Sequence, residues 1–255
     1  KYDAMNIRFD NKTALVTGAS RGIGKAIAKM FAEAGANVII HYNRDREAAE
    51  NVLKELEGNG HRIVQADLAY PGFIENLVEA IQGSIDILVN NAGIYDEKPS
   101  IELDYQEFQE YFKKTMDVNL HGPVHLSYLV AKRMKEQGGG KIINITSRGA
   151  FRGEATAWPY GASKAALNAF GQSMAVALAP DNIFVYTIAP GYVLSDMTEH
   201  IMASDRGADV NKQSPLNRIA SPEEIAKVVL MVASEGTDYM TGCIIDVNGA
   251  SYLRS

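Results

Sequence analysis

The chain has little of what an extracellular, membrane or nucleic-acid-binding protein needs. Its one cysteine, Cys243, leaves no partner for an intrachain disulfide. No apolar run approaches the ~18 residues of a membrane span. Basic residues are in the minority: 25 Lys and Arg against 31 Asp and Glu give a formal charge of -6, which excludes a broad cationic face for nucleic acid. A few local arginines are still enough to hold one small phosphate. No internal repeat, linker or low-complexity tract divides the sequence, so residues 6–255 read as one domain. The opening "KYDAMNIRFDNK" is polar and charged, unlike a secretory leader. Residues 1–5 read as a remnant or disordered start, with Met5 as the candidate initiator, and a cytoplasmic location is expected.

What is present is a repeating alternation. Short β-branched runs, "TALVT" (13–17), "NVIIHY" (37–42), "HRIVQAD" (61–67), "IDILVN" (85–90), "KIINIT" (141–146), "NIFVYTIA" (182–189) and "CIIDVN" (243–248), are separated by helical stretches. The runs are mostly continuously apolar, as in parallel strands covered on both faces. "GKAIAKMFAEAG" stops at Gly35, and "SPEEIAKVVLMVAS" opens with Ser221, Pro222 and Glu224, a capping box with proline in the first turn. The expected fold is an α/β single-domain doubly wound Rossmann fold, a seven-stranded parallel sheet with helices on both faces.

Between the first strand and the first helix lies "TGASRGIG" (17–24), spaced Gly18-x-x-x-Gly22-x-Gly24. Glycines there allow a tight turn and close backbone approach, and a helix N-terminus offers free amides to a pyrophosphate. Gly18, Ser20, Arg21, Gly22, Ile23 and Gly24 are the expected cofactor contacts. The second strand ends in "HYNR", with Tyr42 where NAD-type sites carry an acid, followed by Asn43 and Arg44. Arg44 and Arg21 suit a 2'-phosphate that an acid would repel, so NADP(H) is favoured over NAD(H). Asp67, with Leu68 beside it, reads equally as an adenine contact or as a cap of the turn before Pro71. In "NNAG" (90–93), Asn90, Ala92 and Gly93 are expected against the cofactor, with a strand-tying role for the asparagines alongside. No metal is called for.

"AWPYGASKAAL" (157–167) places Tyr160 one helical turn before Lys164, with only small residues between them. A phenol ionises near pH ~10, and a neighbouring cation lowers that by roughly 1–3 units, towards general acid/base work. "YLVAK" repeats the spacing at Tyr128 and Lys132. Ser147, thirteen residues before Tyr160 and just past a strand end, separates the two; Thr115, at the same distance from Tyr128, lies inside a helical stretch.

With "TGASRGIG", "NNAG", Asn119 in "DVNL", Ser147, "YGASK" and "PG" (190–191) in this order, the chain resembles the short-chain dehydrogenase/reductase family, in its compact single-domain branch. The resemblance covers nearly the whole sequence from Asn6. It implies that Tyr160 exchanges a proton with the substrate oxygen, that Lys164 lowers the phenol's pKa and holds the nicotinamide ribose, and that Ser147 bonds the carbonyl. It implies that Asn119 holds a water linking Lys164 to solvent; the plainer role for Asn119 is repair of a helix kink. It places Pro190, Gly191 and Val193 over the nicotinamide, with Ser195 where the family has threonine. It further implies a homotetramer or homodimer built on helices around 105–137 and 157–179.

Substrate choice is expected in "IYDEKPS" (94–100), "RGAFRGEATAW" (148–158) and the long polar segment 194–218, read as a mobile lid. Arg148 and Arg152 are either anchors for an acidic substrate or solvated loop residues. The nearest pattern is that of the 3-oxoacyl carrier-protein reductases. Lys132 matches one of their two basic docking positions, but Asp181 stands at the other and would repel an acidic carrier. A sugar, polyol, steroid or xenobiotic substrate, and a non-catalytic NADP sensor, stay open.

Overall fold

In the computed structural model, residues 7–254 are described; the start at residues 1–5, Asn6 and Ser255 lie outside them. Seven parallel strands form one sheet: β1 (Thr13–Val16), β2 (Asn37–Tyr42), β3 (Arg62–Gln65), β4 (Ile87–Asn90), β5 (Gly140–Ile145), β6 (Ile183–Pro190) and β7 (Ile244–Val247). Their spatial order is β3-β2-β1-β4-β5-β6-β7. All seven expected strands are present, most of them trimmed by one to three residues at their ends. The chain winds outward from β1, then crosses back to β4. That reversal opens a crevice at the strand C-termini, where doubly wound sheets bind ligands.

The sheet is covered on both faces because its strands alternate between two cores. Val16, Ile40, Val89 and Ile143 face α1 (Gly22–Glu33) and α9 (Pro222–Ala233), against Ile27, Phe31, Ile225 and Val229. Leu15, Ile39, Leu88 and Ile142 face the other side. There they meet Ile74 and Leu77 of α3 (Pro71–Ala80) and Leu126 and Val130 of α5 (Gly122–Gln137). Each fully buried side chain of this kind contributes about 1.5–3 kcal/mol. The remaining helix of the first half is α2 (Arg46–Glu55).

Helix boundaries follow local chemistry. Gly35 takes φ +93° just past α1. At the start of α9 the Ser221 Oγ accepts from the Glu224 N–H, and the Glu224 carboxylate accepts from the Ser221 N–H at 2.9 Å. α4 (Tyr105–Met116) runs into α5 through a π turn, Asp117–His121, of the sort that often marks a functional position. α6 (Trp158–Leu178) follows β5.

Segment 194–218, expected as a long polar lid, has regular structure. It forms two short helices, α7 (Asp196–Met202) and α8 (Arg206–Lys212). Its polarity is that of exposed helix faces, and Arg206 ties it down by two hydrogen bonds to Glu97, at 2.7 and 3.0 Å. No helix among the described residues is long and apolar enough to cross a membrane.

Candidate active site

The glycine loop is shaped as a cradle. Gly18 and Gly22 take φ +61° and +54°, which disfavours any side chain there. A Cβ on Gly18 would lie 2.9 Å from the Ala92 Cα, and one on Gly24 would lie 2.3 Å from the Gly18 oxygen. Arg21 precedes α1 without capping it, and no acid occupies the first turn, so the helix presents its positive end outward. Arg21, Asn43 and Arg44 are exposed at the mouth of the crevice, and Tyr42 is buried beneath them. An open helix terminus, a side-chain-free loop and nearby guanidinium groups fit a dinucleotide pyrophosphate with a further phosphate.

Three residues hold this loop: His41 and Thr17, for which no role was expected, and Asn91, one of the asparagines expected to tie strands. His41, 2% exposed, accepts the Gly18 N–H at Nδ1 (3.2 Å) and donates from Nε2 to the Ala66 carbonyl (3.1 Å). Only the neutral Nε2–H tautomer makes both bonds, and burial pushes its pKa down to about 4. Thr17 Oγ1 accepts from the N–H groups of Asn91 and Ala92, at 2.9 and 3.0 Å. Asn91 Nδ2 donates to the Thr17 and Gly18 carbonyls, at 2.9 and 3.2 Å. The signal for His41 was a lone polar residue inside the apolar run "NVIIHY".

His41 carries a pH prediction. An unfolded histidine takes up its proton near pH 6.5, whereas the buried one holds out to about 4. The unfolded state therefore binds more protons between these values. This contribution is fully present above about pH 6.5 and is lost as the pH falls towards 4, at up to about 1.4 kcal/mol per pH unit. Urea unfolding across that range is expected to show the slope in the wild type and a reduced slope in His41→Gln.

Around the cradle, some expected contacts are already engaged. Asp67 Oδ1 accepts from the Ala69 N–H at 3.1 Å, the turn-capping one of its two roles. Leu68 is 5% exposed and its side chain packs in the core. Asn90 is buried, and its Nδ2 donates to Ser127 Oγ (2.8 Å) and Asn144 Oδ1 (2.9 Å). Its side chain ties strand to helix and strand to strand, the structural role expected of it. Ile23 packs partly against the core. Ser20 is half-buried within the loop.

Ser147, Tyr160, Lys164 and Asn119 gather at the C-terminal edge of β4 and β5. Ser147 sits two residues past β5 in extended backbone, its Oγ accepting from the Gly149 N–H at 3.0 Å. Tyr160 and Lys164 occupy the first two turns of α6. Lys164 Nζ donates to the Ile145 carbonyl at 3.0 Å. A Cβ on Gly93 would lie 3.3 Å from Asn119 Oδ1 and 3.4 Å from Lys164 Nζ, so Gly93 is the flat floor these groups share. Asn119 is fully buried; its amide accepts the Ile94 N–H (2.8 Å) and donates to the Ile94 carbonyl (2.9 Å). From within the π turn it clamps the loop after β4.

The electrostatics depart from expectation. The Tyr160 phenol is pushed up to about 12, chiefly by burial and eased by the Ser147 hydroxyl, with the Glu154 carboxylate adding to the rise. Burial pushes Lys164 down to about 8. Lys164 Nζ lies 5.8 Å from the Tyr160 ring centre and bonds a strand carbonyl. In the chain by itself, desolvation of the phenolate therefore outweighs the lowering expected from the cation. The Tyr95 ring stands edge-on to Tyr160 at 4.9 Å. Glu154 is half-buried over Gly149, where a Cβ would meet its Oε1 at 2.8 Å and Ser147 Oγ at 3.3 Å, and burial raises its pKa. The decoy pair separates as the strand-end argument requires: Tyr128 is exposed, with Lys132 Nζ 5.8 Å from its ring centre.

Pro190, the last residue of β6, is buried, and a Cβ on Gly191 would lie 3.0 Å from the Asn248 Cα. Val193 bridges to Ala220 and its carbonyl accepts from Thr198 Oγ1 at 2.7 Å. Ser195 caps α7 with Thr198. A Cβ on Gly22 would lie 3.4 Å from the Ser195 Cβ, so this loop closes against the glycine loop. Arg148 is 5% exposed, and its guanidinium and that of Arg152 both donate to Gln213 Oε1. A solvated Arg148 is thereby excluded.

A seven-stranded doubly wound sheet with this cradle and this edge cluster defines a dinucleotide-binding oxidoreductase. A family model described as enoyl-(acyl carrier protein) reductase matches residues 18–250. The 3-oxoacyl-[acyl-carrier-protein] reductase FabG of Aquifex aeolicus is 36% identical over 254 residues, covering 97% of this chain and 100% of that protein. The structure of a short-chain type dehydrogenase/reductase from Mycobacterium marinum superposes with TM-score 0.88 at 32% identity, covering 97% of this chain and 98% of that one. A gluconate 5-dehydrogenase from Burkholderia cenocepacia, in complex with NADP and tartrate, superposes with TM-score 0.87 at 31% identity, covering 96% and 97%. The chain belongs to the short-chain dehydrogenase/reductase family and is an NAD(P)-dependent oxidoreductase.

Proposed function

We propose that the chain works as one oxidoreductase domain that prefers NADPH and reduces a small, polar carbonyl compound to its alcohol, with Tyr160 as proton donor. The observation that carries this reading is the Tyr160 phenol hydrogen-bonded to Ser147, one helical turn from Lys164, whose Nζ stands against Gly93 beside the glycine cradle. When bound there, NADPH supplies the hydride. Ser147 holds the carbonyl oxygen, Tyr160 delivers the proton to it, and Lys164 orients the ribose. Arg21, Asn43 and Arg44 receive the 2'-phosphate. Asn119 keeps the floor of the site in register through Ile94.

The substrate-facing segments argue for a hydroxylated compound. Tyr95, Glu97, Arg152, Glu154 and Arg206 are polar or charged, which suits hydroxyl and carboxyl groups better than an acyl chain. The tartrate and gluconate in the name of the Burkholderia cenocepacia complex point the same way. A 3-oxoacyl thioester is the second reading, favoured by the names of the curated relatives. Asp181, paired with Lys135 at 2.8 Å, speaks against carrier docking. A homotetramer or homodimer fits the exposed Tyr105, Tyr128 and Val176 on α4, α5 and α6.

The test is a carbonyl panel run with NADPH and NADH in parallel. Hydroxylated ketones and sugar-derived keto acids are expected to consume NADPH faster than 3-oxoacyl thioesters do. Tight NADPH binding with no carbonyl turned over would instead identify a sensor.

A further inference from the structure

A cavity of about 80 Å³ lies on the far side of Tyr192 and has no part in the chemistry described above. Arg148, Tyr192, Ser214, Asn248 and Ser251 are among its walls; Tyr160, Lys164 and the glycine loop are not. One water needs roughly 10–15 Å³ of such space, so the cavity has room for several waters or one small ion.

Most of its polar groups are already paired. Ser214 Oγ donates to the Gly249 carbonyl at 2.6 Å, and Asn248 Nδ2 donates to the Tyr252 carbonyl at 2.9 Å. Arg218 and Glu224, also in the wall, hold each other through two hydrogen bonds of 2.7 Å. Two groups are left over. The Ser251 hydroxyl is buried and has no hydrogen-bond partner among the described residues. Arg148 is 5% exposed and its side chain reaches only a neutral amide oxygen, that of Gln213, and the face of the Tyr192 ring 4.9 Å away. Among the described residues no carboxylate lies within ion-pair distance of it. Burial and the neighbouring Arg152 work against its charge; the Glu154 carboxylate supports it from beyond ion-pair distance and is shared with Arg152.

One carboxylate shared by two guanidinium groups leaves one positive charge unpaired; a buried cation without a close counter-ion is costly, and water brings no charge to offset it. What is missing is one negative charge carried on oxygens that accept from a guanidinium and a hydroxyl. A carboxylate matches the planar guanidinium fork and the single unpaired positive charge. We propose that this cavity is a carboxylate-binding site whose ligands are the Arg148 guanidinium and the Ser251 hydroxyl. The carboxylate belongs either to an acidic substrate reaching past Tyr192 or to a separate small acid. The site itself stands without the proposed reduction; only the first of these sources rests on it.

Calorimetric titration of the full chain with sodium acetate, at ionic strength held constant with sodium chloride, tests the site without turnover. Saturable binding is expected, weakened about tenfold in Ser251→Ala by loss of one hydrogen bond to a charged group and lost in Arg148→Gln. The serine variant, a small change, keeps the test sound if Arg148→Gln folds poorly. A second arm follows NADPH consumption with a hydroxylated keto acid and with its uncharged amide. Acetate that raises KM for the acid alone assigns the site to the substrate's own carboxylate. Acetate that binds without competing assigns it to a separate acid. Acetate that fails to saturate the wild type, or binds both variants as well as the wild type, overturns the proposal.

Discussion

Tyr160→Phe is expected to lower carbonyl reduction by about 10²–10⁴-fold, the range for losing a positioned general acid, while NADPH still binds. The change removes one oxygen atom and keeps the ring that packs edge-on against Tyr95 at 4.9 Å. The glycine cradle lies on other elements and does not depend on that hydroxyl. The phenol pushed up to about 12 is fully protonated at neutral pH, as a proton donor must be. Lys164, pushed down to about 8, loses its charge as the pH rises through that value. Reduction is therefore expected to fall above about pH 8, on the lysine limb, well before the phenol itself ionises. Steady-state rates from pH 6 to 10 and a fluorescence titration with NADPH check both parts. Near-wild-type turnover by Tyr160→Phe, or a matching collapse of cofactor binding, would remove Tyr160 from the role given to it here.

The parts of this molecule that were legible in advance are those written in local pattern. The seven strands announce themselves as β-branched runs, and β2 has the expected bounds because Asn37 and Tyr42 both stay in register with neighbours on the sheet. The α9 capping box is a four-residue message. Tyr160, Lys164 and Ser147 could be singled out because a one-turn spacing and a strand end are both visible in one dimension. What stayed hidden is long-range. His41 and Gly18 are 23 residues apart, and Thr17 meets Asn91 across 74, so no spacing rule joins them. The fate of Asn90 depended on Ser127 and Asn144, which only packing brings within reach. The rise of the Tyr160 phenol in the chain by itself stayed hidden for a related reason. A helical turn shows that a cation is near but not how much water the fold removes from the phenol. Burial likewise decided Arg148, which composition alone would leave in solvent.

Arg44→Asp is expected to reverse the cofactor preference. The 2'-phosphate carries close to two negative charges, and hydrogen bonds to charged groups contribute roughly 1.5–3 kcal/mol each. Losing the guanidinium and setting a carboxylate against the phosphate together lower kcat/KM for NADPH by about 10²-fold or more. The same carboxylate, two residues past β2, is expected to accept from the 2'-hydroxyl of NADH, the role an acid has in NAD-type sites. NADH use is expected to hold or rise while NADPH use falls. Because Arg44 is exposed, its contribution is screened by salt, so the wild-type preference is expected to narrow as ionic strength rises and that of the variant to change little. Arg21→Gln in the cradle provides the second half of the test: it removes a positive charge near the phosphate without adding an acid, and is expected to weaken NADPH without improving NADH. The outcome that defeats this reading is a ratio of kcat/KM values for the two cofactors that neither substitution moves. The phosphate would then be held elsewhere, and the missing acid at Tyr42 would carry no information about the cofactor.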